Sequence, residues 1–407
     1  MNCRHCEARL RYAFLDLGHA PPSNAYLTEA DLNRPERYYP LRLWVCEHCW
    51  LVQTEDYAEA GELFDADYAY FSSTSSSWLA HARDYAERMR KTLALGADSL
   101  VVEVASNDGY LLRNFVEAGV PCLGIEPTAS TADAAQRLGV PVLREFFGES
   151  LGRRLAGEGR QADLLLGNNV FAHVPDINDF SRGLKAALKP GGTLTLEFPH
   201  LLRLIERVQF DTVYHEHFSY LSLYSVQRIL EAVGLRIYDA EELTTHGGSL
   251  RIFACHGDDP RSRAAAVDVV LQAEANAGLR ELAVYSGFQA RADRVKNDLL
   301  SFLLEQKRAG RRVAAYGAAA KGNTILNYAG IKPDLLPCVF DAAPSKQGKY
   351  LPGSHVPIRS PRDLDEIRPD LLLVLPWNIA EEVMKQNERI REWGGRFITA
   401  VPRLEVK

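Results

Sequence analysis

The sequence predicts an α/β protein: a small N-terminal metal-binding module followed by two doubly wound, Rossmann-like units. Three observations predict it. Two Cys-x-x-Cys pairs stand within the first fifty residues, short apolar runs alternate with helix-like segments from about residue 69, and the alternation resumes after a long helical stretch at about 261–309. At 407 residues the chain is too long for one ordinary core. The expected divisions are 1–68 for the metal module, 69–258 for the first α/β unit and 259–407 for the second.

Composition supports a folded chain, with 46% hydrophobic and 25% charged residues. A formal net charge of -6 argues against a nucleic-acid partner, which favours a basic face. No apolar run approaches the roughly 18–20 residues that span a bilayer. The opening Met1-Asn2-Cys3-Arg4-His5-Cys6 has no apolar leader, so the expectation is a cytoplasmic protein without a membrane partner. In a reducing compartment its seven cysteines are thiols or metal ligands. Cys122, Cys255 and Cys338 stand alone and read as small core residues.

The metal module rests on spacing. Cys3-x-x-Cys6 is followed after 39 residues by Cys46-x-x-Cys49. Four thiolates suit tetrahedral zinc and leave no open position, so the ion is expected to be structural. A redox dithiol fits less well, because such a motif opens a helix inside a βαβ unit. His5 and His48 lie inside the pairs as possible substitute ligands.

The strand candidates of the first unit are Leu100–Val104, Pro121–Ile125, Ala162–Gly167 and Thr193–Phe198. Ser72–Ser77 reads as a loop or a helix start. In the second unit the candidates are Arg312–Tyr316, Leu336–Phe340, Leu371–Leu375 and Arg396–Ala400. Between the units, 261–309 is helical by propensity and ends at Gly310, a suitable C-cap.

Strand Val101–Val104 runs through Ala105-Ser106-Asn107-Asp108-Gly109 into a helix, a small polar turn that lets backbone approach a ligand. It lacks the full GxGxxG of dinucleotide enzymes. Twenty-three residues after Glu103, Glu126 and then Pro127 end the next strand, where a carboxylate can accept two ribose hydroxyls. A loop acid capping a helix is the plainer reading of Glu126 alone. Together with the turn (Glu103, Ala105, Ser106, Asn107, Gly109) it reads as a site for S-adenosylmethionine, with Asn168 near the methyl end. His173 follows in the same loop, where a histidine is often merely solvated.

Tyr214-His215-Glu216-His217-Phe218-Ser219-Tyr220 gathers groups able to handle a proton. It is not a zincin motif, since HExxH requires histidine where Ser219 stands. In extended geometry His215 and His217 share one side, and a neighbouring carboxylate can orient an imidazole base. A solvated surface segment is the alternative. In the second unit, Gly317-Ala318-Ala319-Ala320-Lys321-Gly322-Asn323-Thr324 imitates a P-loop, but Asn323 occupies the lysine position. Lys321 beside a helix start, with Asp341, Lys346 and Tyr350 downstream, then suits a phosphate or pyrophosphate, unless the unit holds no ligand.

Taken in order, the paired Cys motifs, Tyr68–Trp78, Glu103–Leu112, Asn168–Val174, Tyr214–Tyr220, Thr245–Arg251 and Gly317–Thr324 resemble the sugar C-methyltransferase family. That family is typified by TDP-4-keto-6-deoxyhexose C-3'-methyltransferases of antibiotic deoxysugar biosynthesis. The resemblance spans essentially the whole chain. It implies a zinc domain, a middle S-adenosylmethionine domain and a C-terminal domain that helps bind a TDP-linked keto-sugar, in a monomer. It further implies His217 as the base that deprotonates C-3', Glu216 orienting it, Tyr214 and Tyr68 binding or polarising the sugar, and His173 assisting or serving as the base instead. Tyr70, His246, Lys321, Asn323, Asp341, Lys346 and Tyr350 fall on the substrate side. Two departures from the family pattern are Phe171, where leucine is usual, and Ala342, where a larger basic residue is usual. The alternative activity is a nicotinamide-dependent oxidoreductase acting on a nucleotide-sugar, which the missing GxGxxG disfavours.

Overall fold

The computed structural model of the protein describes residues 1–55, 57 and 71–407. Tyr68 and Tyr70 lie outside the described residues. Three sheets order the rest. The first is antiparallel, with Tyr12–Ala20, Tyr39–Val45, Val52–Thr54 and Ser219–Tyr220 side by side. Its fourth strand comes from the middle of the chain, so the N-terminal module is sewn into the first α/β unit.

The second sheet has seven strands in the order Leu235–Leu243, Ser249–His256, Leu188–Pro199, Ala162–Asn168, Val101–Val104, Cys122–Ile125 and Val142–Leu143. The last five run parallel, while the hairpin Leu235–Leu243/Ser249–His256 adds antiparallel strands at one edge. Continuous apolar runs suit strands buried on both faces, and Val101–Val104 is buried throughout. Sequence reading missed the hairpin, because its first strand is half-exposed and carries Arg236, Asp239, Glu241 and Glu242 among its apolar residues.

The third sheet orders Ile358–Arg359, Val339–Phe340, Val313–Tyr316, Leu371–Val374, Arg396–Thr399 and Glu405–Val406, all parallel except the last. The stretch expected to be one helical region contains three helices, Ala265–Asn276, Leu282–Ser286 and Phe288–Arg308. Gly278, at φ +77°, ends the first helix by adopting the left-handed conformation that other residues resist. Gly310, at φ +69°, follows the last. Ser72–Thr74 forms a 3-10 turn, and Ser75 then caps helix Ser76–Thr92 by accepting from the Trp78 N–H at 3.3 Å. No described helix is long and apolar enough to cross a membrane.

The N-terminal module packs against both units. Phe14, Leu41 and Leu43 share a core with Phe288, Leu299 and Ile325, whereas Cys3, Cys49 and Leu51 share another with Leu221, Leu223 and Ile229. One face of the seven-stranded sheet is covered by helices Glu149–Gly157 and Ile177–Ala187, which nearly touch. A Cβ on Gly183 would lie 2.5 Å from the Gly148 carbonyl oxygen, and one on Gly152 would lie 2.4 Å from that of Gly183. Alanine favours a helix by about 1 kcal/mol over glycine. Overpacking against backbone costs about 1–3 kcal/mol and should win here. Gly183→Val is therefore expected to lower the urea midpoint of unfolding by the equivalent of about 1–3 kcal/mol, whereas at exposed Gly157 the same change stays within about 1 kcal/mol.

Candidate active site and metal centre

The two Cys-x-x-Cys hooks are copies of one turn. The Cys3 N–H donates to Ala8 O (2.8 Å) and Glu7 N–H returns to Cys3 O (2.9 Å); Cys46 N–H donates to Leu51 O (3.0 Å) and Trp50 N–H to Cys46 O (2.8 Å). In each, the residue after the second cysteine is left-handed, Glu7 at φ +61° and Trp50 at φ +60°. The hooks bring all four sulfurs within 4.8 Å of one another. Zinc–sulfur bonds of about 2.3 Å give a tetrahedron with sulfur–sulfur edges of about 3.8 Å, which lies inside that limit, so the donors fit a closed structural zinc site. His5 is engaged elsewhere, its Nδ1 lying 2.9 Å from Asn178 Oδ1.

In the first α/β unit the strand Val101–Val104 opens into a turn with Ala105, Asn107 and Gly109 at positive φ. Glu126 holds that turn: its Oε2 accepts from the Asn107 N–H and its Oε1 from the Thr128 N–H, both at 2.9 Å. Each oxygen keeps a second lone pair for a ligand hydroxyl. Pro127 continues the chain beyond it. Glu103 is fully buried, and among the described residues neither carboxyl oxygen has a hydrogen-bond partner. Burial, reinforced by the charges of Asp108 and Glu126, pushes its carboxyl well above the usual range. Ser106 Oγ and both amide atoms of Asn168 are likewise buried without partners among the described residues. Three acids and several unsatisfied polar atoms suit a cationic, polar ligand and repel a pyrophosphate.

Ser72 N–H donates to Asn107 Oδ1 (2.9 Å) and Ser73 N–H to Asp108 Oδ2 (3.0 Å), so the chain after Tyr70 lies directly on this turn. Trp78 stacks on Tyr110 with ring centres 5.9 Å apart and meets His246 edge-on at 5.0 Å.

The cleft beside this turn gathers imidazoles. His217 meets His173 edge-on at 4.5 Å between ring centres and Tyr214 at 4.5 Å. Burial, then the neighbouring His173, push His217 well below its usual pKa, partly offset by a backbone hydrogen bond at Thr212. Burial takes His173 down to about 4, against a backbone hydrogen bond at Glu216. His246 also falls to about 4, through burial and then the charge of Lys321. All three rings are thus neutral near pH 7. His246 is left-handed at φ +52°, and its Nε2 lies 3.0 Å from the amide nitrogen of Asn169, itself at φ +54°.

The consecutive side chains of Tyr214–His217 reach three different places. His215 packs on Tyr39, with Nε2 3.3 Å from the Tyr39 carbonyl. The Glu216 carboxyl accepts from Asn24 Nδ2 at 2.9 Å, and burial raises it to about 7. Only His217 joins the imidazole group.

The second unit supplies the opposite wall. Lys321 donates to Asn378 Oδ1 (2.6 Å) and lies 4.7 Å from the Trp377 ring centre. Burial lowers Lys321 to about 8, although Asp211 opposes the shift. Trp377 Nε1 donates to Asp211 Oδ2 (2.7 Å), and the buried Asp211 rises to about 6. Asp341 accepts from Ala318 N–H and Ala343 N–H, each at 2.8 Å, and Lys346 Nζ donates to Ala318 O at 2.9 Å. Asn323 Nδ2 is spent on Ser23 O (2.6 Å), and Tyr350 pairs through its backbone with Leu27 (3.0 and 2.8 Å). Thus Lys321 lies against Asn378 and Trp377, His246 against Asn169 and Trp78, Asp341 and Lys346 brace the turn, and Asn323 and Tyr350 hold the N-terminal module.

Sequence reasoning missed Asn24, Asn169, Asp211, Trp78 and Trp377. Trp377 was within reach, because it follows the carboxyl end of Leu371–Val374, where open α/β sheets bind ligands. Trp78 and Asn169 lie in the motifs Tyr68–Trp78 and Asn168–Val174 but were given no role of their own, whereas Asn24 and Asp211 carried no local signal.

Fold and site together define a two-unit Rossmann-type transferase with an attached metal module. Three family models match along the chain: a zinc binding domain over residues 3–64, a methyltransferase domain over 78–240 and a C-methyltransferase C-terminal domain over 244–402. The C-methyltransferase NovU of Streptomyces niveus is 34% identical over 400 residues, covering 98% of this chain and 95% of that protein. A ubiquinone biosynthesis O-methyltransferase of Methylobacterium nodulans is 30% identical over 114 residues, 27% of this chain and 44% of its own. Among solved structures, magnesium protoporphyrin IX methyltransferase of Synechocystis is similar over 44% of this chain and 83% of its own, at 14% identity and a TM-score of 0.36. The chain belongs to the C-methyltransferase family. Its cofactors are S-adenosylmethionine, for which the acid-lined turn is suited, and a structural zinc at the four cysteines.

Metal analysis of the purified protein is expected to give one zinc per chain, and Cys46→Ser should lose most of it. Because the hooks share a core with Leu221 and Leu223, zinc loss should also lower the unfolding temperature of the first α/β unit.

Proposed function

We propose that this C-methyltransferase deprotonates C-3' of a TDP-linked 4-keto-deoxysugar and methylates the resulting enolate carbon. The observation that carries the reading is the meeting, beside an acid-lined turn, of the neutral imidazoles of His217 and His173 with the Tyr214 ring. Bound S-adenosylmethionine supplies an electrophilic methyl group. Glu126 would hold its ribose, while Glu103 and Asn168 answer its charged and polar groups.

Proton removal falls to His217. A neutral imidazole has the free lone pair a base needs, and the C-4' ketone makes the C-3' hydrogen acidic. The depressed pKa of an isolated His217 would make it a weak base, but an anionic substrate beside it raises that value. As the proton moves to nitrogen, the C–H electron pair would enter the enolate, whose carbon would take the methyl group while the sulfur–methyl bond breaks and S-adenosylhomocysteine leaves. Tyr214 and His173 would donate to the developing oxyanion or a sugar hydroxyl. Lys321 and His246 would hold the sugar diphosphate side, with Asp341, Lys346, Asn323 and Tyr350 shaping that wall, while Tyr68 would bind or polarise the sugar and Tyr70 would contribute to substrate binding. This division of labour assigns residues 1–68 to zinc, 69–258 to the donor and 259–407 to the acceptor, in a monomer.

Incubation with S-adenosylmethionine and a panel of TDP-4-keto sugars should add one methyl group and release C-3' deuterium from labelled substrate. His217→Asn should slow both by roughly 10²–10⁴-fold. If it turns over like wild type, the base is His173 or another group. Glu126→Ala should weaken S-adenosylmethionine binding roughly 10- to 100-fold by calorimetry, through two lost hydrogen bonds to a charged acceptor.

A further inference from the structure

The zinc-bearing module does more than sit beside the cleft. Strand Tyr12–Ala20 leaves the first cysteine hook, and strand Tyr39–Val45 returns to the second. Between them the chain Pro21-Pro22-Ser23-Asn24-Ala25-Tyr26-Leu27-Thr28 is carried across to the other two units as a strap. Its contacts are polar and specific. Ser23 O accepts from Asn323 Nδ2 (2.6 Å), Tyr26 Oη donates to Ala318 O (2.6 Å), and Leu27 pairs with Tyr350 in both directions (3.0 and 2.8 Å). Asn24 Nδ2 donates to Glu216 Oε1 (2.9 Å). The strap therefore joins the glycine turn of the second unit to the residue preceding His217.

We propose that this strap is part of the active site, and that Asn24 is a positioning residue holding the Glu216 carboxyl for the reaction. The inference rests on the reading of Tyr214–His217 as the proton-handling segment. Glu216 is buried, and among the described residues Asn24 is the side chain that donates to its carboxyl. The other titratable groups facing it are Tyr26 from the strap, Tyr220 from the short strand, and His173, which is hydrogen-bonded to the Glu216 backbone. None is a cation near pH 7. A lysine or arginine there would pin the carboxyl as an ion, and an apolar neighbour would leave it a neutral acid. An amide donor leaves it able to change state while fixing its direction. Glu216 immediately precedes His217 and its backbone hydrogen-bonds His173, so a fixed carboxyl also fixes the backbone on which both imidazoles depend.

The sign follows from the donor. Asn24 stabilises the charged carboxylate, so removing it makes Glu216 hold its proton to higher pH. Asn24→Ala should lower kcat roughly 10- to 100-fold, with S-adenosylmethionine affinity and zinc content unchanged, and should move the acid limb of the kcat–pH profile up by about one unit. In a double-mutant cycle, Asn24→Ala added to Glu216→Gln should cost little more than Glu216→Gln alone. Equal losses in both backgrounds, or an unmoved acid limb, overturn the proposal.

A second measurement does not need the keto-sugar. The infrared band of protonated Glu216, assigned by its absence in Glu216→Gln, should persist to higher pH in Asn24→Ala. An unchanged titration rejects the role of Asn24 even if no keto-sugar is a substrate. Absence of methylation by wild type, together with a shifted band, instead rejects the substrate assignment and leaves Asn24 acting on Glu216.

Discussion

Desolvation without countercharge is the interaction on which the cleft depends. Burial is the leading cause behind the raised carboxyls of Glu103, Glu216 and Asp211, and behind the lowered His173, His217, His246 and Lys321. The acids are driven toward neutrality from below and the bases from above, so both classes favour their uncharged forms, with Glu216 at about 7 and Lys321 at about 8 left nearest to neutral pH. Ion pairs appear where the fold uses charge as structure instead. Glu197, buried and paired with Arg251 and His81, is held down to about 2, against the burial that acts to raise it.

Keeping such groups dry requires three modules to meet. Trp377 of the second unit donates to Asp211, and its ring presses on the first unit so closely that a Cβ on Gly247 would lie 2.4 Å from it. Glycine at 247, with φ +90°, is thus required twice, by conformation and by contact. The N-terminal strap closes the remaining side, and its path is fixed by strands that end at the cysteine hooks. A zinc ion remote from the chemistry would in this way hold the geometry of Glu216. The metal's contribution is entropic restraint on a long connection, not Lewis acidity.

How much of this was legible follows from what each residue's signal was local to. The parallel strands announced themselves because burial on both faces demands unbroken apolar runs, and Val101–Val104 or Leu371–Val374 could be placed to within a residue. The hooks were legible because zinc ligation fixes spacing. The antiparallel hairpin at 235–256 was not, since one half-exposed strand tolerates Glu241 and Glu242. Nor was the break at Gly278 inside a stretch otherwise rich in helix formers. Within the cleft, His173, His217 and Lys321 stood out by residue type, whereas Asn24 acquires meaning only from Glu216, 192 positions away. Sequence places Glu216 beside His217, yet their side chains part, because Tyr214–His217 form a turn closed by the His217 N–H on Tyr214 O (3.2 Å) in place of the extended strand that would alternate them.

The two Rossmann-like units repeat one device with opposite charge. Glu126 accepts from the N–H of Asn107 in its turn and from Thr128, two residues on; Asp341 accepts from Ala318 in its turn and from Ala343, two residues on. Geometry at the two carboxyl edges is therefore the same. What differs is the company each turn keeps. Glu103 and Asp108 surround the first, whereas Lys321 and Lys346 attend the second. An acidic edge suits a sulfonium donor, and a basic edge would suit the diphosphate of the proposed acceptor, so electrostatics would sort the two ligands between two similar scaffolds.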